Sequence, residues 1–378
     1  MNVTALNSLR MQGDPTADKI ARDFAHDDIL RTVLDRLHHG AVDESRYWRE
    51  IPSEIIELLR DTATPPPWAD VDRLCRVPAF YAAQPATIVG ATVLGGILAI
   101  SAVPSQARMM VFPLKRRRKL AADSGPTAGK VALLQGISGT MSPTIEKVRL
   151  LRGFAEARTQ PPTATLGPTM AKVRLLGPLG LNGSAMDPQL GRAVQAIRLR
   201  HAILRDRIAC GGWDIEARGA PIHQEDMLCT TMMLSVLVLE VLDRLGVAVT
   251  ERQAADFYHA WRVASAMLGT SVTAIPGTLD QARELLPSLI ERNFGPSPEG
   301  AELTSAMLSA YSELTPGVTT DELAATTRLM LGKQLADWAD VPAIGRTSPS
   351  QARMTCDRVG RALLGAVPAE VESRRQPA

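Results

Sequence analysis

Apolar positions along the chain recur every three or four residues, which is the spacing of amphipathic and buried helices. The alternating apolar and polar runs typical of strands are not found. The helices predicted from this spacing cover residues 15–38, 52–60, 86–103, 145–157, 188–209, 225–245, 251–268, 278–293, 299–313, 320–339 and 349–365. The pattern therefore predicts an all-α protein.

Helix-end signals support several of these boundaries. A hydroxyl residue followed three positions later by Gln or Glu forms a capping box, and glycine is typical of helix C-termini. The capping boxes are Thr250/Gln253 and Thr319/Glu322, and the C-terminal glycines are Gly246 and Gly269.

The segment 86–103 is apolar enough to suggest a membrane span. It lies within residues 77–107, which carry no charge, and the basic run KRRRK follows at 115–119. The length is at the lower limit for crossing a bilayer, and small and polar residues interrupt the segment. We favour a buried central helix, whose Gly90, Gly95 and Gly96 allow close approach of another helix or a flat ligand. Membrane association remains the alternative.

Bulk composition fits one large globular domain. Apolar residues make up 45% and charged residues 22%, and 42 Lys and Arg balance 40 Asp and Glu, so there is no global signature of nucleic-acid binding. No linker divides the apolar segments of the chain into two groups that would form separate cores. We expect a single domain over 13–366, with an N-terminal tail over 1–12 and a disordered tail over 367–378.

The cysteines and the N-terminus point to a cytoplasmic protein. The four cysteines are scattered and form no CxxC pair, which argues for reduced thiols rather than a zinc or redox motif. The first residues lack the apolar stretch of a secretion signal.

One histidine has unusual neighbours. On a helix over 188–209, His201 shares a face with Arg198 one turn before it and Arg205 one turn after it. A metal site made only of protein would need further ligands, and this helix adds only Asp206, on a different face. Haem needs one axial imidazole, and its propionates pair well with guanidinium groups. A basic surface helix with an incidental histidine is the alternative, and His223 and His259 are rival ligands.

The stretch Arg198-Leu199-Arg200-His201-Ala202-Ile203-Leu204-Arg205 resembles the haem-ligand helix of the latex-clearing protein (rubber oxygenase) family. That family includes the fungal oxygenase that cleaves a prenyl chain in mycophenolate biosynthesis. Further motifs resemble the family in the same order: Gly13-Asp14-Pro15-Thr16-Ala17-Asp18, Pro67-Trp68, 221–228, 261–269 and 298–304. The resemblance implies an all-helical domain with haem b, His201 as proximal iron ligand, and Arg198 and Arg205 as polar support.

The segment expected to cover the other haem face departs from the family pattern. The family has arginine-x-x-lysine-threonine some thirty residues before the proximal histidine, and the best counterpart here is 169–173. Lys172 matches the lysine, whereas Thr169 stands where arginine is expected. We assign Lys172, Thr169 and Arg174 as candidate catalytic residues, with an ordinary surface lysine as the alternative for Lys172.

Two more residues are candidates for the cofactor site. Glu225 opens a long helix, where a carboxylate suits the helix dipole, or it orients an arginine or a distal group. Trp261 is a core residue that could also line a haem pocket.

The function expected from the resemblance is a haem b-dependent oxygenase that uses dioxygen on an intracellular hydrophobic small molecule. Its substrate would be an isoprenoid or specialised metabolite, cleaved at a C=C bond. The alternatives are haem-dependent hydroxylation, coupling or cyclisation, and a helical haem-binding or interaction protein without turnover. We expect a monomer or homodimer, without nucleic-acid binding.

Overall fold

A computed structural model of the protein describes residues 3–25, 27–39, 50–62, 64–111 and 188–365. Within these ranges the regular structure is helical and no strand occurs. The helices are α1 (Val3–Arg10), α2 (Pro15–Asp23), α3 (Ile29–His39), α4 (Ser53–Asp61), α5 (Val71–Ala83), α6 (Pro85–Ala91, continued by Thr92–Ile97 and Leu98–Ala102), α7 (104–111), α8 (Pro188–Cys210), α9 (Ile215–Arg218), α10 (Gln224–Met232, continued by Met233–Leu237 and Val238–Arg244), α11 (Glu251–Met267), α12 (Leu279–Asn293), α13 (Pro298–Leu314), α14 (Thr320–Trp338) and α15 (Pro349–Gly365). The all-α prediction is confirmed.

The N-terminal end differs from the prediction. The sequence predicts a tail over residues 1–12, but α1 packs on α10, Leu6 is buried, and Arg10 forms an ion pair with Glu225. The predicted helix 15–38 is two helices, because α2 ends at Asp23 and α3 begins at Ile29. The helices predicted from the sequence do not include α5, which continues through Pro78.

Several predictions lie outside the described residues. These are the helix 145–157, the basic run 115–119, the tail 367–378, and the candidates Thr169, Lys172 and Arg174.

The predicted helix-end signals are confirmed. Thr250 with Gln253 and Thr319 with Glu322 form complete capping boxes, in which each side chain accepts a hydrogen bond from the other residue's backbone N–H. Gly246 has φ +68° and Gly269 has φ +93°, which is the left-handed region that ends helices.

The long apolar segment forms the buried helix α6. By length and composition 85–102 is apolar enough to cross a membrane, but 94% of it is buried inside the protein. Its glycines let other helices approach. A Cβ at Gly90 would lie 1.9 Å from the Cys356 carbonyl oxygen, and one at Gly360 would lie 1.8 Å from the Ala86 carbonyl oxygen. The backbones of α6 and α15 are therefore in direct contact where the two helices cross.

Helix α8 lies between two apolar clusters. Val194 and Ile197 join the main core, which is built around α6, α10 and α11. Ala196, Leu199 and Ala202 face a smaller cluster formed with α2, α3 and α4. Because apolar contacts hold both sides of α8, the helix is well placed to present a side chain at a defined position.

Candidate functional site

His201 lies in the middle of α8 and is buried, with 8% of its surface exposed. At 100° per residue it shares its face with Val194, Ile197 and Ile208, all of which are buried. His201 is therefore buried on a face of α8 that also carries three buried apolar residues.

The two arginines on the same face are held by carboxylates of the N-terminal segment. Arg198 donates to Asp14 through Nε at 2.6 Å and Nη2 at 3.0 Å, a bidentate pair. Arg205 donates to Asp18 through Nε at 2.5 Å and to the Ile222 carbonyl through Nη1 at 3.2 Å. Sequence reasoning predicted these arginines as support for a cofactor and did not foresee their carboxylate partners. Their role toward a cofactor stays a prediction.

Both ion pairs lie against glycines. A Cβ at Gly269 would lie 2.2 Å from Asp14 Oδ2, and a Cβ at Gly13 would lie 2.2 Å from Asp18 Oδ2. Gln224 joins the two glycine segments, since its Nε2 donates to the carbonyls of Gly13 at 2.7 Å and of Gly269 at 2.9 Å. Its Oε1 accepts from the Ser271 N–H at 2.7 Å. Both the nitrogen and the oxygen of this amide therefore help to hold α2, α10 and the end of α11 together.

Charges around the two arginines balance. Asp14 is 3% exposed and Arg205 is 6% exposed, so neither charge is well solvated. Burial raises the pKa of Asp18, and the neighbouring Arg205 guanidinium opposes that rise. The two guanidinium groups and the two carboxylates have opposite charges. These four side chains therefore add no net charge to the His201 face.

The rival histidines already use their lone pairs. His259 Nε2 accepts from the Asp70 N–H at 2.9 Å, and burial lowers the pKa of His259 to about 4, so the ring is neutral with its proton on Nδ1. His223 Nδ1 accepts from the Asp226 N–H at 3.0 Å as the N-cap of α10, which places the proton on Nε2. Neither ring, as oriented, offers a lone pair to a metal.

Glu225 is fully buried and forms the centre of a separate charged cluster. It accepts from Arg10 Nε at 3.1 Å, Arg292 Nε at 2.6 Å and Asn293 Nδ2 at 3.0 Å. Glu225 lies in the first turn of α10, where its charge suits the helix dipole, and it also contacts two arginines. Contact with a cofactor stays a prediction.

Trp261 is buried in the main core, and its indole N–H finds no acceptor among the described residues. The next residue, Arg262, stacks on Trp68 with its guanidinium carbon 3.9 Å from the ring centroid. The Pro67-Trp68 and Trp261-Arg262 motifs therefore meet in space. A place for Trp261 beside a cofactor stays a prediction.

A haem needs fewer protein ligands than a metal ion held only by protein. Within the described ranges no group of three or more His, Cys, Asp or Glu side chains could hold a metal. A porphyrin supplies four nitrogens and needs one axial imidazole. The four cysteines form no disulfide with one another.

A groove of about 450 Å³ lies among α2, α3 and α8. Its α8 lining includes Arg200, Ile203 and Arg207, which at 100° per residue point away from the His201 face. The groove therefore lies on a different side of α8 from His201.

Comparisons with known proteins agree with the motifs. Residues 182–367 match the family described as ER-bound oxygenase mpaB/B'/Rubber oxygenase, catalytic domain. The chain is 30% identical over 155 residues to the rubber oxygenase of Streptomyces sp. (strain K30), an alignment that covers 40% of this chain and 38% of that protein. The solved structure of latex clearing protein LCP in the closed state matches with a TM-score of 0.64 at 20% identity, over 97% of this chain and 88% of the other.

Proposed function

Because the chain is similar to the rubber oxygenase family, as its motifs predicted, we propose that it is a haem b-dependent oxygenase that cleaves a C=C bond of a hydrophobic, isoprenoid-like substrate. His201 is the axial ligand. The observation that supports this assignment is the position of His201, buried on α8 inside the matched catalytic region, while His223 and His259 have their lone pairs engaged.

The protein residues have three tasks in this proposal. His201 binds the iron through a neutral imidazole nitrogen, and the apolar residues of its face exclude water. Bound haem supplies the iron at which dioxygen is activated. The substrate alkene and one dioxygen have the same atoms as two carbonyl products, so cleavage needs no further reductant in the overall balance.

On the distal side of the haem, opposite His201, the proposed catalytic residues are Lys172, Thr169 and Arg174, as predicted from sequence. In this proposal the substrate is an intracellular hydrophobic metabolite and the co-substrate is dioxygen.

The first test is the visible spectrum of the purified protein, oxidised and reduced. We expect a Soret band that is lost in His201→Ala and retained in His223→Asn and His259→Gln. The two control substitutions each keep a hydrogen-bond acceptor for the backbone N–H that the histidine serves. In His201→Gly, added imidazole should restore the band by replacing the missing side chain. A wild-type band in His201→Ala would refute the ligand assignment.

The second test addresses the reaction. Protein with haem is incubated with short polyprenols under ¹⁸O₂, and products are examined by mass spectrometry. Cleavage predicts shortened chains with ¹⁸O in their new carbonyl groups. Hydroxylation would add oxygen without shortening the chain, and a haem-binding protein without turnover would leave the polyprenols unchanged.

A further inference from the structure

We propose that Asp14 and Asp18 are positioning residues for the haem ligand, which hold α8 in the rotation that presents His201. This inference rests on the proposed function, namely haem held by His201. We call the two ion pairs Asp14–Arg198 and Asp18–Arg205 the carboxylate clamp.

The spacing of the clamp suits this role. Arg198 precedes His201 by three residues and Arg205 follows it by four, so the contacts bracket the histidine on one helix face. They are seven residues apart, or about 10 Å along the axis. A single contact would act as a pivot, whereas two contacts at this separation restrain both rotation and sliding of α8 against α2.

The clamp is itself held rigidly. Asp14 caps α2 by accepting from the Ala17 N–H, and Asp18 Oδ2 accepts from the Asp14 N–H at 2.9 Å. Gly13 and Gly269 leave no space for either carboxylate to move toward them. Side chains that position a metal ligand must themselves be held by packing and hydrogen bonds.

Stability alone is a weak explanation for this arrangement. Replacing a buried ion pair with apolar residues of similar size is often neutral or stabilising, because burying charges is costly. The apolar contacts of Ala196, Leu199 and Ala202 already attach α8 to the α2–α4 cluster. What the clamp adds is directional restraint at the two turns next to His201.

The clamp also joins separate parts of the chain. Its arginines lie inside the matched catalytic region, 182–367, and its carboxylates lie outside it, in the N-terminal segment. We therefore infer that the catalytic region needs the α2 segment to position its haem ligand.

The test compares Asp14→Asn and Asp18→Asn with a matched control, Asp256→Asn. Asp256 is a carboxylate buried to the same degree as Asp14, and it pairs with two arginines, Arg73 and Arg76, between α5 and α11. Each protein is purified, haem affinity is measured by titration of the apoprotein, and the iron–histidine stretching band of the reduced form is recorded by resonance Raman spectroscopy.

We expect the two clamp variants to bind haem roughly 10- to 100-fold more weakly, as is typical when residues that orient a metal ligand are changed. Their iron–histidine band should shift or broaden, while Asp256→Asn loses stability but keeps the wild-type affinity and band. Clamp variants that lose stability yet retain both would overturn the inference and leave the proposed function standing. A wild-type protein that binds no haem would overturn both.

A second variant covers the case in which Asp18→Asn fails to fold. Asp18→Ala combined with Arg205→Met removes both charges, so no unpaired buried charge remains. We expect this protein to fold and still show an altered iron–histidine band, because the restraint is gone. A wild-type band in this double variant would contradict a positioning role.

Discussion

The tight contact between Gly269 and the Asp14–Arg198 pair leads to a sharp prediction for Gly269→Ala. The new Cβ would lie 2.2 Å from Asp14 Oδ2 and 3.0 Å from Arg198 Nε, so the bidentate pair must separate. The backbone there has φ +93°, which adds conformational strain for any residue with a Cβ.

The expected loss has two parts. A residue with a Cβ in the left-handed region costs roughly 1–2 kcal/mol. Breaking a buried ion pair costs about 3–5 kcal/mol, because the guanidinium is left uncompensated. Gly269→Ala should therefore lower the free energy of unfolding by about 4–7 kcal/mol.

Gly212 and Gly246 provide matched controls. They have φ +90° and +68°, and a Cβ at either position would meet nothing within 4 Å. Alanine there should cost only the backbone strain, about 1–2 kcal/mol. The assay is urea unfolding of the apoprotein followed by far-ultraviolet circular dichroism.

Equal losses at Gly269 and at the two controls would refute the reasoning. So would a full loss for Gly269→Ala in an Asp14→Ala background, where the clashing carboxylate is absent. In that background we expect only the strain cost.

Three further predictions concern stability away from the clamp. The unfolded chain protonates His259 near its ordinary pKa of 6.5, whereas burial lowers the folded pKa to about 4, so stability falls as pH drops through this window. The loss of unfolding free energy at pH 5 should be about 2 kcal/mol. Thermal unfolding of His259→Gln, which keeps a hydrogen-bond acceptor, should not show this loss. Gly360→Ala should cost about 1–3 kcal/mol or more in denaturant unfolding because its Cβ meets the Ala86 carbonyl, whereas Gly295→Ala, with open space, should be nearly neutral. Thr319→Ala removes a solvent-exposed capping box and should cost about 1 kcal/mol in the same assay, with the haem spectrum unchanged.

Much of the fold could be predicted from the sequence because the relevant signals are local. The helical period, the capping boxes at Thr250 and Thr319, and the C-terminal glycines depend on residues within one or two turns. The face shared by Arg198, His201 and Arg205 follows from helix geometry alone. The resemblance to the rubber oxygenase family was also readable, because its motifs are short and ordered along the chain.

Only the tertiary structure decided which charges pair. The contacts Asp14–Arg198 and Asp18–Arg205 join residues 184 and 187 positions apart, and no periodicity reports such a contact. The signals were present as two acidic residues four apart and two basic residues seven apart, but either set could equally have faced solvent or a ligand. By itself the sequence determined the helices and the face that carries His201. The packing of α2 against α8 decided that the arginines on that face bind carboxylates, because pairing of distant charges depends on how the helices pack together.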